Sequence, residues 1–379
     1  MKIVADHKIP FLKGALEPVA EVVYLPGGAI TAADVCDADA LVVRTRTICN
    51  RGLLEGSRVK CIASATIGFD HIDTAYCEKN GIFWTNAPGC NATSVVQYMA
   101  AAMAHIIEKT GKKFTDLTLG IIGAGYVGSR VLHLFSSLGM DTLVNDPPRA
   151  RREGAEGFVD LDLLLEKADI VTLHVPLNKE GLDATMHMAG ERFYRKMKKG
   201  AWLINTSRGE VAETEALVHS LKAKHLGGAV IDVWEHEPEI PPELLDLADI
   251  ATPHIAGYSA DGKANGTAMS VQAVSRHLRL GLNDWTPATI PPPMHPTIKI
   301  NCKGKTEEMI FAELAWHTYN ILADSEKLKA SPATFEKQRE DYPVRREPRA
   351  YRLELVSPGP AHINTAKALG FEPLKIITD

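Results

Sequence analysis

Glycines at positions 123, 125 and 128 constrain the fold of this chain more than any other feature, through the run Gly120-Ile121-Ile122-Gly123-Ala124-Gly125-Tyr126-Val127-Gly128. Leu117-Thr118-Leu119 leads into them as a strand, and the amphipathic Val131-Leu132-His133-Leu134-Phe135 follows as a helix. In such a strand, turn and helix unit, Gly123 permits the tight turn and Gly125 lets backbone N–H groups approach a pyrophosphate. Gly128 lets the helix pack close on its strand. The helix start, with Tyr126 and Val127 leading into it, then faces the phosphates. Leu143-Val144-Asn145-Asp146 supplies a second strand, and the acid at its end accepts hydrogen bonds from a ribose 2′-hydroxyl while repelling a 2′-phosphate. The unit predicts a dinucleotide site that takes NAD in preference to NADP.

The rest of the chain keeps the same rhythm. Before the glycine turn, short apolar runs at 2–5, 21–25, 40–43, 59–63 and 82–85 alternate with longer amphipathic pieces. A helix over about 91–109, rich in alanine and methionine, carries the chain into the glycine unit. Apolar runs then recur at 170–175, 201–205, 228–233 and 249–252, as expected of strands covered on both faces of a parallel sheet. A second long helix over about 264–281 precedes Pro287, Pro291-Pro292-Pro293 and Pro296, which mark a linker. Beyond it, helices over 307–322 and 332–342 and a strand over 350–356 make a small further domain. The expected fold is α/β, with two Rossmann-like or flavodoxin-like parallel-sheet lobes joined by long helices, plus a small α+β C-terminal domain. The boundaries are 1–92 with 260–285 for the first lobe, 93–259 for the second and 286–379 for the last.

Composition excludes several classes of function. At 379 residues, 45% hydrophobic and 23% charged with a formal net charge of -5, the chain gives no sign of nucleic-acid binding. No apolar segment approaches membrane-spanning length, and Met1-Lys2-Ile3-Val4-Ala5-Asp6 does not read as a targeting segment, so a cytoplasmic location is expected. Six cysteines without CxxC spacing argue against a disulfide framework or structural zinc, and no metal is expected.

Three polar residues stand at the ends of the later strands: Arg208 in Asn205-Thr206-Ser207-Arg208-Gly209, Glu237 in Trp234-Glu235-His236-Glu237-Pro238, and His254 in Thr252-Pro253-His254-Ile255-Ala256-Gly257. Open α/β sheets place ligands at the carboxyl ends of their strands. Oxidation of an alcohol by NAD needs a base titrating near neutrality, which a histidine supplies. A carboxylate on the far ring nitrogen fixes the tautomer and supports the imidazolium, the role open to Glu237. An arginine fork holds a substrate carboxylate and polarises the neighbouring C2 oxygen, the role open to Arg208. His174, His187, His236 and His295 lack this context, and His236, beside Glu237, is the nearest competitor for the role of base.

At these residues the chain resembles the D-isomer-specific 2-hydroxyacid dehydrogenases over about residues 1–285. The family's catalytic Arg, Glu and His are matched by Arg208, Glu237 and His254. The likeness is narrowest to a branch that oxidises 4-phospho-D-erythronate to 2-oxo-3-hydroxy-4-phosphobutanoate on the route to pyridoxal 5′-phosphate. It is carried by Ala87 to Ala92, Asp146-Pro147-Pro148-Arg149-Ala150, Asp232 to Glu235, and Pro253 to Tyr258 with Gly262-Lys263-Ala264. The resemblance implies cofactor contacts at Asp146, Val175, Thr206, Ser207, Arg208, Asp232 and Gly257, and substrate contacts at Thr45, Thr66 and Tyr258. It makes the first lobe substrate-binding, the second NAD-binding, and the last, through Phe335-Glu336-Lys337 and Tyr342 to Glu347, a homodimerisation domain.

Two loops suit a phosphorylated small substrate. Arg44-Thr45-Arg46-Thr47 and Ser64-Ala65-Thr66-Ile67-Gly68 each follow an apolar strand, offering guanidinium forks and hydroxyls to a phosphate monoester. Alternation along the segment leaves only one of Arg44 and Arg46 facing the ligand, and the sequence does not say which. Other 2-hydroxyacid dehydrogenases, acting on phosphoglycerate, hydroxypyruvate or glyoxylate, fit the same catalytic residues. So does a non-catalytic NAD-sensing regulator on this scaffold.

Overall fold

A computed structural model of the chain describes residues 1–378. It divides into two compact units, residues 1–91 with 259–291, and residues 92–258 with 292–379.

Unit 1 is built on a five-stranded parallel sheet of β1 (Lys2–Asp6), β2 (Glu21–Leu25), β3 (Ala40–Val43), β4 (Cys61–Ser64) and β5 (Phe83–Thr85), in the order β2-β1-β3-β4-β5. Alternate residues of its inner strands feed two cores. Val4, Leu41, Val43 and Ile62 enter one, and Ile3, Ala5, Ala40, Val42 and Ala63 the other. That explains why these strands read as unbroken apolar runs. The helix Ala260–Leu278, capped by the Ser259 hydroxyl on the Gly262 N–H, brings Val271 and Val274 to the second core.

Unit 2 carries a six-stranded parallel sheet of β6 (Thr118–Ile122), β7 (Asp141–Asn145), β8 (Ile170–Leu173), β9 (Trp202–Asn205), β10 (Gly228–Ile231) and β11 (Ile250–Ala251), ordered β11-β10-β9-β8-β6-β7. The chain runs from β6 outward to β7, then returns to the other side of β6 and continues through β8. The boundary between β6 and β8 is therefore a topological switch point, where sheets of this kind bind ligands.

The segment after Pro291 adds a three-stranded parallel sheet, β12 (Thr297–Asn301), β13 (Arg352–Val356) and β14 (Leu374–Ile377), in that order. It shares one apolar core with the helix Ala92–Thr110, which is buried over most of its length. Phe114 meets Phe311 edge-on at 5.0 Å between centroids, and the Trp316 indole N–H donates to the Ala101 carbonyl at 3.2 Å.

Three details of this segment depart from the sequence reading. β12 begins directly after Pro296, where only a linker was expected, and β14 was not expected at all. Both are short, and only the alternation of Ile298 and Ile300 inward marks β12. The single helix expected over 307–322 is two, Glu307–Thr318 and Ile321–Ala330, because Tyr319 is extended and the Asn320 side chain starts a new helix by accepting the Ala323 N–H. Among the described residues no helix is long and apolar enough to cross a membrane, and no group of three or more His, Cys, Asp or Glu is placed to hold a metal ion.

Candidate active site

The glycine turn follows β6 at the switch point. A Cβ on Gly128 would lie 1.9 Å from the Gly123 carbonyl oxygen, so the helix Gly128–Ser137 reaches the turn only without a side chain there. Gly125 differs: it is exposed, and a Cβ there would meet no atom within 4 Å. Tyr126 is exposed and Val127 half-buried at the helix start. The end of β7 reaches back to this turn. Asp146 accepts the Ala124 N–H on Oδ2 at 2.8 Å and the Arg149 N–H on Oδ1 at 3.0 Å. Each carboxylate oxygen keeps a further lone pair for ribose hydroxyls. Open glycine, helix N-terminus and acid together fit a dinucleotide. Arg149 closes the arrangement, donating to the Ala124 carbonyl at 2.6 Å while Glu153 takes its Nε and Nη2 at 3.0 and 2.6 Å.

Val175 lies just past β8, and Thr206, Ser207 and Arg208 just past β9, on the same carboxyl edge. Thr206 Oγ1 is 3.5 Å from Nδ1 of His174. Ser207 is buried, its hydroxyl and N–H both on the Asn205 side-chain oxygen. Arg208 is half-buried, with Nη1 donating to its neighbour Ser207's carbonyl at 2.8 Å. A Cβ on Gly209 would fall 2.0 Å from the Trp234 carbonyl, so the backbone after Arg208 lies directly against the loop that carries Glu237.

Glu237 and His254 meet. Glu237 accepts the His254 Nδ1–H on Oε2 at 2.8 Å and the Trp234 N–H on Oε1 at 3.0 Å. The ring is fixed on its Nδ1 side, leaving Nε2 as the nitrogen turned away from the carboxylate. Burial pushes the Glu237 carboxyl up, but the His254 ring, the hydrogen bond to it and the Trp234 N–H outweigh burial and hold it below the ordinary glutamate value. His254 has φ +55°, a left-handed conformation that non-glycine residues rarely hold.

Asp232, at the end of β10, is 1% exposed. It accepts the Thr252 hydroxyl at 2.6 Å, the Ile255 N–H at 2.8 Å and the Ala256 N–H at 2.9 Å. Both of its oxygens thus serve the loop that bears His254. Gly257 and Tyr258 continue that loop, half-buried, with the Tyr258 ring edge-on to Tyr342 at 5.9 Å.

The other histidines are elsewhere engaged. Burial drives the His174 ring down to about 3, so it is neutral throughout the physiological range, and its Nε2 is 3.0 Å from Thr172 Oγ1. His187 pairs with Glu235 at 2.6 Å, and His236 and His295 are exposed.

Arg44, Thr45, Arg46 and Thr66 belong to unit 1, at the carboxyl ends of the neighbouring strands β3 and β4. Arg44 is half-buried and donates from Nη1 to the Lys8 carbonyl at 2.8 Å, while Thr45 and Arg46 are exposed. The Thr66 hydroxyl donates to the Gly68 carbonyl at 2.9 Å and sits 2.7 Å from that of Ser64.

The sequence reading missed several residues that touch this site. Trp234 holds the Glu237 loop through its N–H and the Thr252 carbonyl through its indole, and Thr252 holds Asp232 through its hydroxyl, roles that the sequence pattern does not assign. Arg339 and Arg345 come from the C-terminal segment. Arg339 stands 5.7 Å from the Tyr258 ring centroid, and its charge acts on Glu237. The one sequence signal for Arg345 is its place in the stretch Tyr342 to Glu347, which carries part of the family resemblance.

Residues 93–256 match the family model described as D-isomer specific 2-hydroxyacid dehydrogenase, NAD binding domain, and residues 290–370 match a domain of unknown function (DUF3410). The erythronate-4-phosphate dehydrogenase of Bacteroides fragilis is 51% identical over 94% of this chain and 99% of its own, and that of Bacteroides thetaiotaomicron 49% identical over 93% and 99%. Among solved structures, D-lactate dehydrogenase from Aquifex aeolicus, complexed with NAD and lactic acid, aligns with a TM-score of 0.62 at 28% identity, covering 74% of this chain and 96% of that one. With relatives this similar along nearly the whole length, the chain belongs to the D-isomer specific 2-hydroxyacid dehydrogenase family, on the branch of the erythronate-4-phosphate dehydrogenases.

Proposed function

We propose that the chain oxidises 4-phospho-D-erythronate at C2 to 2-oxo-3-hydroxy-4-phosphobutanoate, as a cytoplasmic homodimer using NAD. The observation that carries this reading is the His254–Glu237 pair, 2.8 Å apart, on the sheet edge that also bears Arg208 and the glycine turn. NAD supplies the nicotinamide that accepts the hydride leaving C2. Gly123, Gly125, Tyr126, Val127 and Gly128 hold its pyrophosphate, Asp146 its ribose, and Val175, Thr206, Ser207, Arg208, Asp232 and Gly257 line the rest of its path. Arg208 anchors the C1 carboxylate and polarises the C2 oxygen. Nε2 of His254 takes the C2 hydroxyl proton, and Glu237 stabilises the resulting imidazolium. Arg44, Thr45, Arg46, Thr66 and Tyr258 supply the remaining contacts to phosphate and hydroxyls. The segment after Pro291, whose small sheet ends in the edge strands β12 and β14, pairs two copies.

NADH formation measured across a panel of 2-hydroxy acids tests the substrate. The highest kcat/KM is expected with 4-phosphoerythronate, and a higher value with 3-phosphoglycerate or unphosphorylated glycerate would overturn the assignment. NAD binding with no turnover on any of them favours a regulatory protein. The same preparation is expected to sediment as a dimer, and a monomer would remove the pairing.

Cofactor choice is open to a separate check. Asp146→Ser shifts the ratio of kcat/KM for NAD over NADP downward by about 10- to 100-fold, the worth of a charge-assisted hydrogen bond. The 2′-phosphate then no longer faces the Asp146 carboxylate, while Arg149, held by Glu153, stays beside Ala124. An unchanged ratio removes Asp146 from ribose recognition.

A further inference from the structure

We propose that Arg345, from the segment whose matching domain has no assigned function, is a positioning residue for the active-site base. It fixes the peptide run Ile255–Ala256, and through that run the ring of His254. The inference rests on the reading of His254 as that base.

The loop after β11 is gripped on both of its polar sides. On the N–H side stands Asp232, which takes the amides of Ile255 and Ala256 at 2.8 and 2.9 Å. On the carbonyl side Nη2 of Arg345 shares its hydrogens among the Ile255 oxygen at 3.0 Å, the Ala256 oxygen at 2.6 Å and the Ser94 hydroxyl at 2.7 Å. Ser94 in turn donates to the Ala256 oxygen at 2.9 Å. The run therefore lies between the Asp232 carboxyl at its N–H ends, which burial holds above the ordinary aspartate value against the pull of these donors, and a guanidinium at its C=O ends.

Burial makes the grip rigid. Arg345 is 5% exposed. Its guanidinium carbon stands 4.2 Å from the centroid of the Tyr319 ring, and Nη1 is 3.4 Å from the Tyr342 hydroxyl, which donates to Asp324 at 2.8 Å. Tyr319, Asp324, Tyr342 and Arg345 all come from the C-terminal segment. The residue immediately before the gripped run is His254, with φ +55° and its own N–H on the carbonyl oxygens of Asp232 and Thr252 at 2.7 and 3.0 Å. A backbone conformation this sparsely populated persists only where its surroundings over-determine it. Arg345, with Ser94 of the helix Ala92–Thr110, is a part of those surroundings that neither strand end supplies, and it gives the C-terminal segment a role in placing His254 besides any role in assembly.

The test uses the full chain with Arg345→Met, Arg345→Lys and Tyr342→Phe, beside His254→Ala as reference. Arg345→Met is expected to lower kcat at least about 10-fold, to leave the NAD dissociation constant within about twofold, and to displace the acid limb of the kcat/KM pH profile as the Glu237–His254 contact loosens. Arg345→Lys restores part of kcat. A folded Arg345→Met protein with wild-type kcat and pH profile overturns the proposal. If Arg345→Met does not fold, Tyr342→Phe decides: a smaller loss of kcat with the same displacement supports it, and an unaltered profile overturns it. Near-normal turnover of His254→Ala would instead refute the base assignment, whatever Arg345 does.

Discussion

His254→Ala is expected to turn over substrate about 10²- to 10⁴-fold more slowly than the parent, with NAD affinity within about a factor of two. The magnitude follows from what the ring does. Deprotonating the C2 hydroxyl in step with hydride departure needs a base in place, and water in the emptied position lacks both the basicity and the fixed geometry. The small effect on NAD follows from location, because the glycine turn and Asp146 sit at the other end of the sheet edge, past β6 and β7, whereas His254 follows β11. Steady-state kinetics and fluorescence titration with NADH separate the two quantities. His236→Ala is the control, since that ring is exposed and is not held by Glu237. Its turnover stays near the parent value, and a loss as large as that of His254→Ala would transfer the role to the wrong histidine. Glu237→Gln tests the pairing itself: kcat is expected to fall because the ring loses the carboxylate that orients it through Nδ1.

The second large effect is expected at Arg208. Arg208→Gln lowers kcat/KM for the hydroxy acid by about 10²- to 10³-fold, because a neutral amide cannot form two charge-assisted bonds to the carboxylate or answer charge developing on the C2 oxygen. Arg208→Lys recovers little, since an ammonium offers a point charge without the fork. The structure makes a purely structural explanation testable. The guanidinium touches its own neighbour's carbonyl, while the close approach of this loop to Trp234 is made by Gly209. Thermal unfolding of Arg208→Gln measures any structural share of the loss: a melting temperature within about 3 °C of the parent assigns the loss to the reaction, and a larger drop assigns it to folding. A full-strength kcat/KM in the folded variant removes Arg208 from the reaction.

Much of this was readable before any coordinates, and the reason is physical. A turn that needs glycine at 123 and 128, a strand whose residues are apolar on both faces, and an acid at the end of β7 are decided within about ten residues of chain. Parallel strands then bring their carboxyl ends to one edge whatever their order, so Arg208, Glu237 and His254 were recognisable as a group from strand ends alone. The two short strands β12 and β14 and the helix break at Asn320 were not, because a four- or five-residue strand carries little local signal and acquires its identity from the sheet it joins.

Sequence by itself therefore determined the α/β rhythm, the glycine turn and the candidate side chains at the strand ends, since all three are local properties of backbone and side-chain chemistry. Only the tertiary structure decided how His254 is held. Arg345 donates to Ser94 across 251 residues of chain, and to the carbonyls beside His254 from a segment that no pattern links to them. Such a contact exists because packing buries a guanidinium where backbone oxygens need donors. No interval of sequence short enough to show a period contains both partners.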